Sequence, residues 1–434
     1  MAQLVEQWNF HRAFPVHHYR MDNGLEAYLV ENPISPVAAC MIHYTVGSAL
    51  ENDEERGLAH FFEHMMFRET DTLGDGDFDR IMSEIGGVGL NAFTSYDTTA
   101  YMVNVPTRNL PRVFALEADR MANLRLSPDL IEAERGAVLG EINMYQDMPS
   151  EQFWNTVMAE GFLKHPYHHP IIGYADQVRD FAGEDFRRFY QTHYAPNRSV
   201  VVVAGGFDRE EVLSQLNDSF SPLPLGAARP PGEPADPPWP RDIRREIAHD
   251  KISTESLVLG WRSPGLTHPD LPALVLLSAV LSAGHSAPLY RQLVWASLAT
   301  YASASVQEAD MMMSAPGMFL IEVGLQHGIP AERAEETVLA LLSDMARQGI
   351  SPEDMERGRN QMRLGAYNGL RSNMGLARQI GGFAVACGRP GYGEELLEAV
   401  LALTVEELTD VLRRYFLEAH RLSVVQRPAI GQPS

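Results

Sequence analysis

The chain has 434 residues, 45% hydrophobic and 21% charged, a composition typical of globular proteins with a sizeable core. Its formal net charge of −22 excludes nucleic acid as the main partner, because phosphate binding requires a basic surface. No apolar run of about 18 residues occurs, so no membrane span is predicted, and the first 14 residues lack the apolar segment of a signal peptide. We therefore expect a cytoplasmic or periplasmic protein.

The first strong pattern is a strand at residues 37–46 followed by a helix at 57–67. The helix contains the pentapeptide His60-Phe61-Phe62-Glu63-His64. Histidines one helical turn apart face the same way, so both imidazoles can bind one zinc ion. Glu63 lies near that face and can reach a water at the metal without being a ligand. This order of residues is the inverzincin arrangement, and the alternative is a buried helix whose histidines are satisfied by hydrogen bonds.

A glycine-rich turn and an edge strand are predicted next, at residues 86–94. The glycines of Gly86-Gly87-Val88-Gly89 allow close approach of another backbone. A plain turn into a core strand is the alternative for this segment. A further strand at residues 101–105 and a helix at 112–124 follow.

A long helix predicted at residues 128–145 carries Glu134 and Glu141. These two residues are two turns apart on one helix face, which they share with Val138. Carboxylates on an otherwise apolar face are costly unless they meet a cation, so both are candidates for a metal site. A surface face of salt bridges is the alternative.

The proline-rich residues 221–242 break regular structure and divide the chain into two halves. Each half begins with a strand and a helix and ends with an Arg-Arg helix and an apolar strand. In the second half, the first strand is predicted at 255–261 and the first helix at 271–281. A single duplication explains this likeness. The predicted fold class is α+β: two homologous domains, each a mixed or antiparallel sheet covered by helices, forming a clamshell of duplicated α/β rolls. We predict a first domain at residues 1–222, a linker at 223–244 and a second domain at 245–434.

The segment GLAHFFEHMMF at residues 57–67 resembles the signature of the pitrilysin, insulin-degrading enzyme and mitochondrial processing peptidase family. The likeness continues through NAFT at 91–94, LEADRM at 116–121 and ERGAVLGEI at 134–142. It covers the first half and, more weakly, the second. It implies that one zinc ion per chain is bound by His60, His64 and Glu141. It also implies that Glu63 is the general base and that Glu134 supports the site by orienting a histidine ligand.

The same resemblance favours a substrate strand over a plain turn at residues 86–94. In that interpretation an extended peptide pairs with the edge strand. The strand recognises mainly the backbone of the substrate, and its side chains contribute less. The predicted substrate-binding residues of this strand are Asn91, Ala92, Phe93 and Thr94.

The second half lacks the His-x-x-Glu-His motif, and its matching helix at 271–281 is apolar, so it is predicted to hold no zinc. Active members of the family often supply from this half an Arg and a Tyr, seven residues apart. Tyr301 can match the Tyr, but Val294 stands at the Arg position, and a one-residue gap would instead place Thr300 at the Tyr position. Arg291 is better explained as a surface arginine.

The resemblance therefore implies a zinc metalloendopeptidase that hydrolyses peptides or unfolded polypeptide segments. The incomplete Arg–Tyr pair favours the catalytic subunit of a heterodimer, whose homologous partner lacks the zinc motif and supplies Arg and Tyr; a homodimer is the alternative. Two rival functions are a non-catalytic assembly subunit and a peptide-binding module of the same fold. The intact set of His60, Glu63, His64 and Glu141 favours the peptidase.

Overall fold

The computed structural model describes residues 2–228 and 235–429. In the first range, the strands at 37–44, 88–94 and 99–106 and the helices at 58–65, 110–123 and 128–146 lie where the sequence predicts them, whereas the three strands before residue 32 were not predicted. In chain order these elements are β1 (Gln3–Phe10), β2 (Phe14–Arg20), β3 (Glu26–Glu31), β4 (Val37–Tyr44), α1 (Leu58–Met65), α2 (Asp77–Glu84), β5 (Val88–Thr94), β6 (Thr99–Pro106), α3 (Leu110–Asn123), α4 (Pro128–Gln146), α5 (Pro149–Gly161), α6 (Ala175–Asp180), α7 (Gly183–His193), β7 (Ser199–Gly205) and α8 (Arg209–Phe220).

The second range repeats the pattern with fewer strands. Its elements are β8 (Ile243–His249), β9 (Ser256–Arg262), α9 (Leu271–Ser282), β10 (Ala299–Val306), α10 (Gln307–Met311), β11 (Met318–Leu325), α11 (Ala331–Gln348), α12 (Pro352–Gly369), α13 (Asn373–Cys387), α14 (Tyr392–Ala402), α15 (Val405–Leu412) and β12 (Arg421–Pro428). Two π-helical segments, Tyr290–Val294 and Arg413–Leu417, precede β10 and follow α15. No helix of the described ranges is long and apolar enough to cross a bilayer.

The strands form two mixed sheets, as the α+β prediction required. The first has the order β1-β2-β3-β7-β4-β6-β5, and the second has the order β10-β11-β9-β12-β8. Each contains one parallel pair, β3 with β7 in the first and β12 with β8 in the second, and all other pairs are antiparallel. The order β3-β7-β4-β6-β5 therefore matches β8-β12-β9-β11-β10, with the parallel pair at the same place. This correspondence supports the inferred duplication.

The contacts divide the chain into two compact units, and each contains a helix from the opposite half of the sequence. The first unit comprises Met1–Met144, His169–Glu233 and Gly369–Glu394. It includes α13, which packs on β4 and β7. The second unit comprises Tyr145–His168, Pro234–Asn368 and Glu395–Ser434, and in it α5 packs on β12 and β8. The sequence did not predict this exchange of helices, because both segments have ordinary helical patterns.

The first sheet is apolar on both faces. Along β7, Val201 and Val203 face the core that contains α1, whereas Val200 and Val202 face the cluster that contains α13. This burial explains the uninterrupted valine run of β7, since a strand covered on both faces needs no polar side. In the second unit, α9 holds the place that α1 has in the first, and nearly all its residues are buried. The apolar character predicted for this helix is thereby explained.

In the described parts of the predicted linker, residues 223–228 and 235–244, there is neither helix nor strand before β8 begins at Ile243, and residues 229–234 lie outside the described ranges. The second of these parts is anchored within the second unit. The carboxylate of Asp236 accepts hydrogen bonds from the backbone N–H groups of Leu163, Lys164 and His165. The indole N–H of Trp239 donates to the carbonyl oxygen of Gly161 at 3.1 Å.

Candidate metal centre

Helix α1, which carries the predicted histidine ligands, begins at a buried carboxylate. Gly57 precedes it with a φ of 105°, and a Cβ there would lie 2.7 Å from the carbonyl oxygen of Ile172, so the position requires glycine. Glu51, which is 3% exposed, accepts hydrogen bonds from the backbone N–H groups of Gly57 at 2.9 Å and Ala59 at 2.7 Å. Burial raises the pKa of Glu51 to about 8. Its carboxyl group caps the start of the helix, where N–H groups lack helical partners.

The other end of α1 contacts a fully buried arginine on α3. The guanidinium of Arg120 pairs with Glu117 at 2.6 Å, lies over the rings of Tyr101 at 4.3 Å and Phe78 at 4.5 Å, and donates to the Met66 carbonyl oxygen at 3.5 Å. A cation at the last carbonyls of a helix is favourable, because those groups carry partial negative charge. The sequence resemblance included Arg120 without assigning it a role, and Glu51 was missed.

The three predicted metal ligands lie close together. One ligand atom from each of His60, His64 and Glu141 lies within 4.8 Å of the others. The Nε2 atoms of His60 and His64 are 3.6 Å and 3.4 Å from Oε2 of Glu141. Donor atoms that share a tetrahedral zinc ion at about 2.0–2.1 Å lie roughly 3.3 Å apart. The spacing of these three side chains therefore fits a zinc ion.

The protonation of the site also suits a metal. The His60 side chain is 11% exposed, against 28% for that of His64, and burial lowers the pKa of His60 to about 4. Neutral imidazole is the form that binds metals, so His60 is already in the competent state. Two imidazoles and one glutamate form a donor set that proteins use for catalytic zinc.

Glu134, the predicted supporting carboxylate, contacts one of the histidines. Its side chain is 4% exposed, and its Oε2 lies 3.1 Å from Nδ1 of His64. Its other oxygen pairs with Arg68, which also pairs with Asp75 at 3.0 Å. A hydrogen bond at Nδ1 fixes the ring so that Nε2 is presented toward Glu141. Arg68 was not identified from the sequence, because a lone arginine after a helix carries no pattern.

Glu63, the predicted base, projects from α1 beside the ligands. Its Oε2 accepts a hydrogen bond at 2.7 Å from the hydroxyl of Thr94 on β5. Burial raises the pKa of Glu63 above its ordinary value, and the Thr94 hydrogen bond opposes that rise. The geometry places Glu63 at the edge of an open cavity, with one of its two oxygens held by Thr94.

A cavity of about 530 Å³ adjoins Glu63 and His64. Phe67, Leu90 and Ala92 contribute an apolar part of its wall, and Asp75 and Asp79 contribute an acidic part. Polar and charged side chains make up the larger part of the lining. The cavity has room for a substrate side chain beside the candidate metal ligands.

The predicted substrate strand is β5, which lies at the edge of the first sheet. Among its predicted binding residues, Asn91 and Ala92 line the cavity. The ring of Phe93 faces the opposite side of the sheet, 5.4 Å from the guanidinium carbon of Arg378 on α13. The hydroxyl of Thr94 is bound to Glu63. The outer edge of β5 pairs with no other strand of the described ranges, so its backbone is open to strand addition.

Tyr301 lies in the second unit on β10, the corresponding edge strand. It is 49% exposed, and its ring covers Gly324 of β11 so closely that a Cβ there would lie 2.2 Å from the ring. Val294 ends the π-helical segment before β10. The Arg291 side chain lies 3.4 Å from Asp354 as an ion pair, which agrees with its interpretation as a surface arginine.

The chain matches two protein families. The family described as Insulinase (Peptidase family M16) matches residues 27–174, which include His60, His64, Glu134 and Glu141. The family described as Peptidase M16 inactive domain matches residues 180–362. The second description agrees with the lack of a His-x-x-Glu-His motif in that half.

Several relatives match over nearly their full length. The zinc protease PqqE of Helicobacter pylori is 28% identical, over 94% of this chain and 92% of the relative. The beta subunit of mitochondrial-processing peptidase from Lentinula edodes is 26% identical, over 91% of this chain and 86% of the relative. A crystal structure of a protease from Helicobacter pylori superimposes with a TM-score of 0.89 at 26% identity, over 95% of this chain and 99% of the other.

Proposed function

Because the chain belongs to peptidase family M16, we propose that it is a zinc-dependent endopeptidase that hydrolyses peptides or unfolded polypeptide segments. The observation that carries the proposal is the meeting of His60, His64 and Glu141 within 4.8 Å, with Glu63 beside them. Partly buried carboxylate and imidazole groups brought this close together have a desolvation cost that a bound cation offsets. The naming of relatives as zinc proteases supports the same function.

His60, His64 and Glu141 would hold one zinc ion per chain. When bound, zinc polarises the scissile carbonyl and lowers the pKa of a coordinated water toward neutrality. Glu63 accepts a proton from the attacking water on its carboxylate and then delivers it to the leaving amine nitrogen as the C–N bond breaks. Glu134 holds the ring of His64 and so fixes the ligand's direction.

The substrate would bind as an extended strand along the free edge of β5. Backbone hydrogen bonds supply most of the affinity in this mode, and side chains fill neighbouring pockets. Asn91 and Ala92 line the cavity beside Glu63, so a side chain near the scissile bond can enter it. We expect loose sequence preference and a requirement for an unfolded or flexible substrate.

Replacement of the base tests the proposed function. Glu63→Gln should lower the rate of peptide hydrolysis by a factor of about 100 or more, because general acid–base catalysis contributes about 10²–10⁴-fold. Zinc content, measured by atomic absorption, should stay at one ion per chain, since Glu63 is not a predicted ligand. Glu84→Gln, on an exposed part of α2, is the matched control and should keep full activity.

Chelation provides an independent measurement in the same assay. Removal of the metal with a chelator should abolish hydrolysis, and addition of zinc should restore it. Hydrolysis that survives both chelation and Glu63→Gln would refute the peptidase assignment. Zinc and peptide binding without hydrolysis, with or without a partner, would favour the non-catalytic assembly or peptide-binding alternative.

We further propose that the chain works with a second, homologous subunit. Val294 stands where the family resemblance expects an arginine, so the second unit lacks one of the two groups that would contact the substrate. A partner without the zinc motif but with the Arg–Tyr pair would complete the site. The 26% identity to a peptidase named as a beta subunit supports this arrangement, and a homodimer is the alternative. We propose the cytoplasm or the periplasm as its compartment.

A further inference from the structure

Strand β5 presents its side chains alternately to two different surroundings. Leu90 and Ala92 pack against the core that contains α1, and Phe93 packs against the cluster that contains α13. The next residue, Thr94, therefore faces α1 again, at the last position of the strand. The pleat brings its hydroxyl to Glu63, the residue that the proposed function uses as base.

The contact between Thr94 and Glu63 is well defined. The Thr94 hydroxyl donates to Oε2 of Glu63 at 2.7 Å. No other side-chain hydrogen bond to Glu63 is found among the described residues. Thr94 is itself held by pairing with Thr99 across the β5–β6 hairpin, and its branched Cβ restricts its rotamers. The carboxylate is thus tied to the sheet at one oxygen.

We propose that Thr94 is a positioning residue for Glu63 and not a substrate contact, an inference that rests on the proposed peptidase function. Because Oε2 accepts the threonine hydrogen bond, Oε1 is the oxygen that takes the water's proton. The O–H bond of the water breaks as its oxygen bonds to the scissile carbonyl carbon, and the proton moves to Oε1. It then transfers to the amine nitrogen as the C–N bond breaks, which restores the carboxylate. Thr94 stays a donor throughout and neither gains nor loses a proton.

The two roles give different kinetics. Thr94→Val removes the hydroxyl and keeps the branched shape. If Thr94 positions Glu63, kcat should fall roughly 10- to 100-fold, the range expected for a lost hydrogen bond to a charged group, with KM changed less than about threefold. Thr94→Ser should restore most of the activity, because it keeps the hydroxyl. Thr98→Val is the matched control. Thr98 lies in the same hairpin as Thr94, and its half-buried hydroxyl donates to the carbonyl oxygen of Tyr44. Loss of that hydroxyl should leave kcat unchanged.

A spectroscopic measurement makes the test independent of turnover. Subtraction of the Glu63→Gln infrared spectrum isolates the carboxylate stretch of Glu63 in the zinc-loaded protein. This band should shift in Thr94→Val, return in Thr94→Ser and stay in place in Thr98→Val. Thr94→Ala provides a second variant if Thr94→Val does not fold.

The outcomes separate the two proposals. A rise in KM at constant kcat, or a carboxylate band unchanged by Thr94→Val, would overturn the positioning role and leave the peptidase function standing. A shifted band in a protein that hydrolyses no peptide, either alone or with a homologous subunit added, would support the positioning contact and refute the proposed function. A lower kcat with a shifted band supports both.

Discussion

At the scale of single residues, the candidate site depends on buried ionic contacts around the ligands. Glu134 connects His64 to Arg68, and its side chain is 4% exposed. Loss of a carboxylate that orients a histidine ligand typically weakens metal affinity about 10–100-fold. Loss of the Glu134 carboxylate should therefore affect zinc affinity more than it affects the stability of the fold.

We predict that Glu134→Gln raises the zinc dissociation constant roughly 10- to 100-fold, because the amide cannot hold both the His64 ring and the Arg68 guanidinium. The measurement is competition with a zinc indicator. Glu132→Gln, on the same helix with a 67% exposed side chain, should leave the constant unchanged. Equal zinc affinity in Glu134→Gln and wild type would show that Glu134 does not support a ligand.

At the scale of elements, helix α13 packs so closely on β4 that one position of the helix has no room for a side chain. A Cβ on Gly381 would lie 2.4 Å from Nε2 of His43 on β4 and 3.1 Å from a methyl of Val202 on β7. Glycine in a helix costs about 1 kcal/mol relative to alanine, so its presence here has a steric reason. The close approach lets a helix from the other half of the chain cover this face of the sheet.

Gly381→Ala should therefore lower the free energy of unfolding by about 1–3 kcal/mol, as overpacked cores do. Gly365→Ala provides the comparison, since a Cβ there meets nothing within 4 Å on helix α12. That variant should be stabilised by up to about 1 kcal/mol, through helix propensity alone. Urea unfolding of both proteins measures the difference, and the same sign for both would contradict the packing argument.

The same packing makes stability depend on pH. His43 is 1% exposed, and neither ring nitrogen has a hydrogen-bond partner among the described residues. Burial, with a smaller effect of Arg378, lowers the pKa of His43 from 6.5 to about 3. Between these values the unfolded chain binds a proton that the folded protein does not, so stability is lost as pH falls below 6.5.

Between pH 6.5 and pH 5, we expect the free energy of unfolding to fall by about 2 kcal/mol less in His43→Leu than in wild type. The reason is that one titrating group changes this free energy by about 1.4 kcal/mol per pH unit. Urea unfolding at several pH values measures the slope. Curves that stay parallel for the two proteins would mean that His43 is protonated in the folded state.

At the scale of the whole molecule, the duplication has produced two sheets of matching order with only one candidate metal centre in the described residues. The second copy has an apolar helix where the first has the histidines. We propose residues 1–222 and 245–434 as the two copies of the duplication. A role for the second copy in substrate contact would require the Arg–Tyr pair, which Val294 interrupts.

We therefore predict that the purified chain alone hydrolyses unfolded peptides weakly or not at all. Addition of a homologous subunit that lacks the zinc motif and carries the Arg–Tyr pair should raise kcat/KM at least 10-fold. Analytical ultracentrifugation should show a one-to-one complex. Full activity of the chain alone would instead favour a homodimer or a self-sufficient monomer.

Local patterns of residues predicted the α+β class, the strands and helices around the candidate site, and the residue types of the candidate ligands. Periodicity is a property of neighbouring residues, and the chemistry of two histidines and a glutamate does not depend on the rest of the fold. Which distant groups meet depended on how the chain folds in three dimensions. Glu51 at one end of α1, Arg120 at the other, and Thr94 against Glu63 are contacts across the chain without a repeating pattern. The exchange of α5 and α13 was equally hidden, because an amphipathic helix does not specify which sheet it covers.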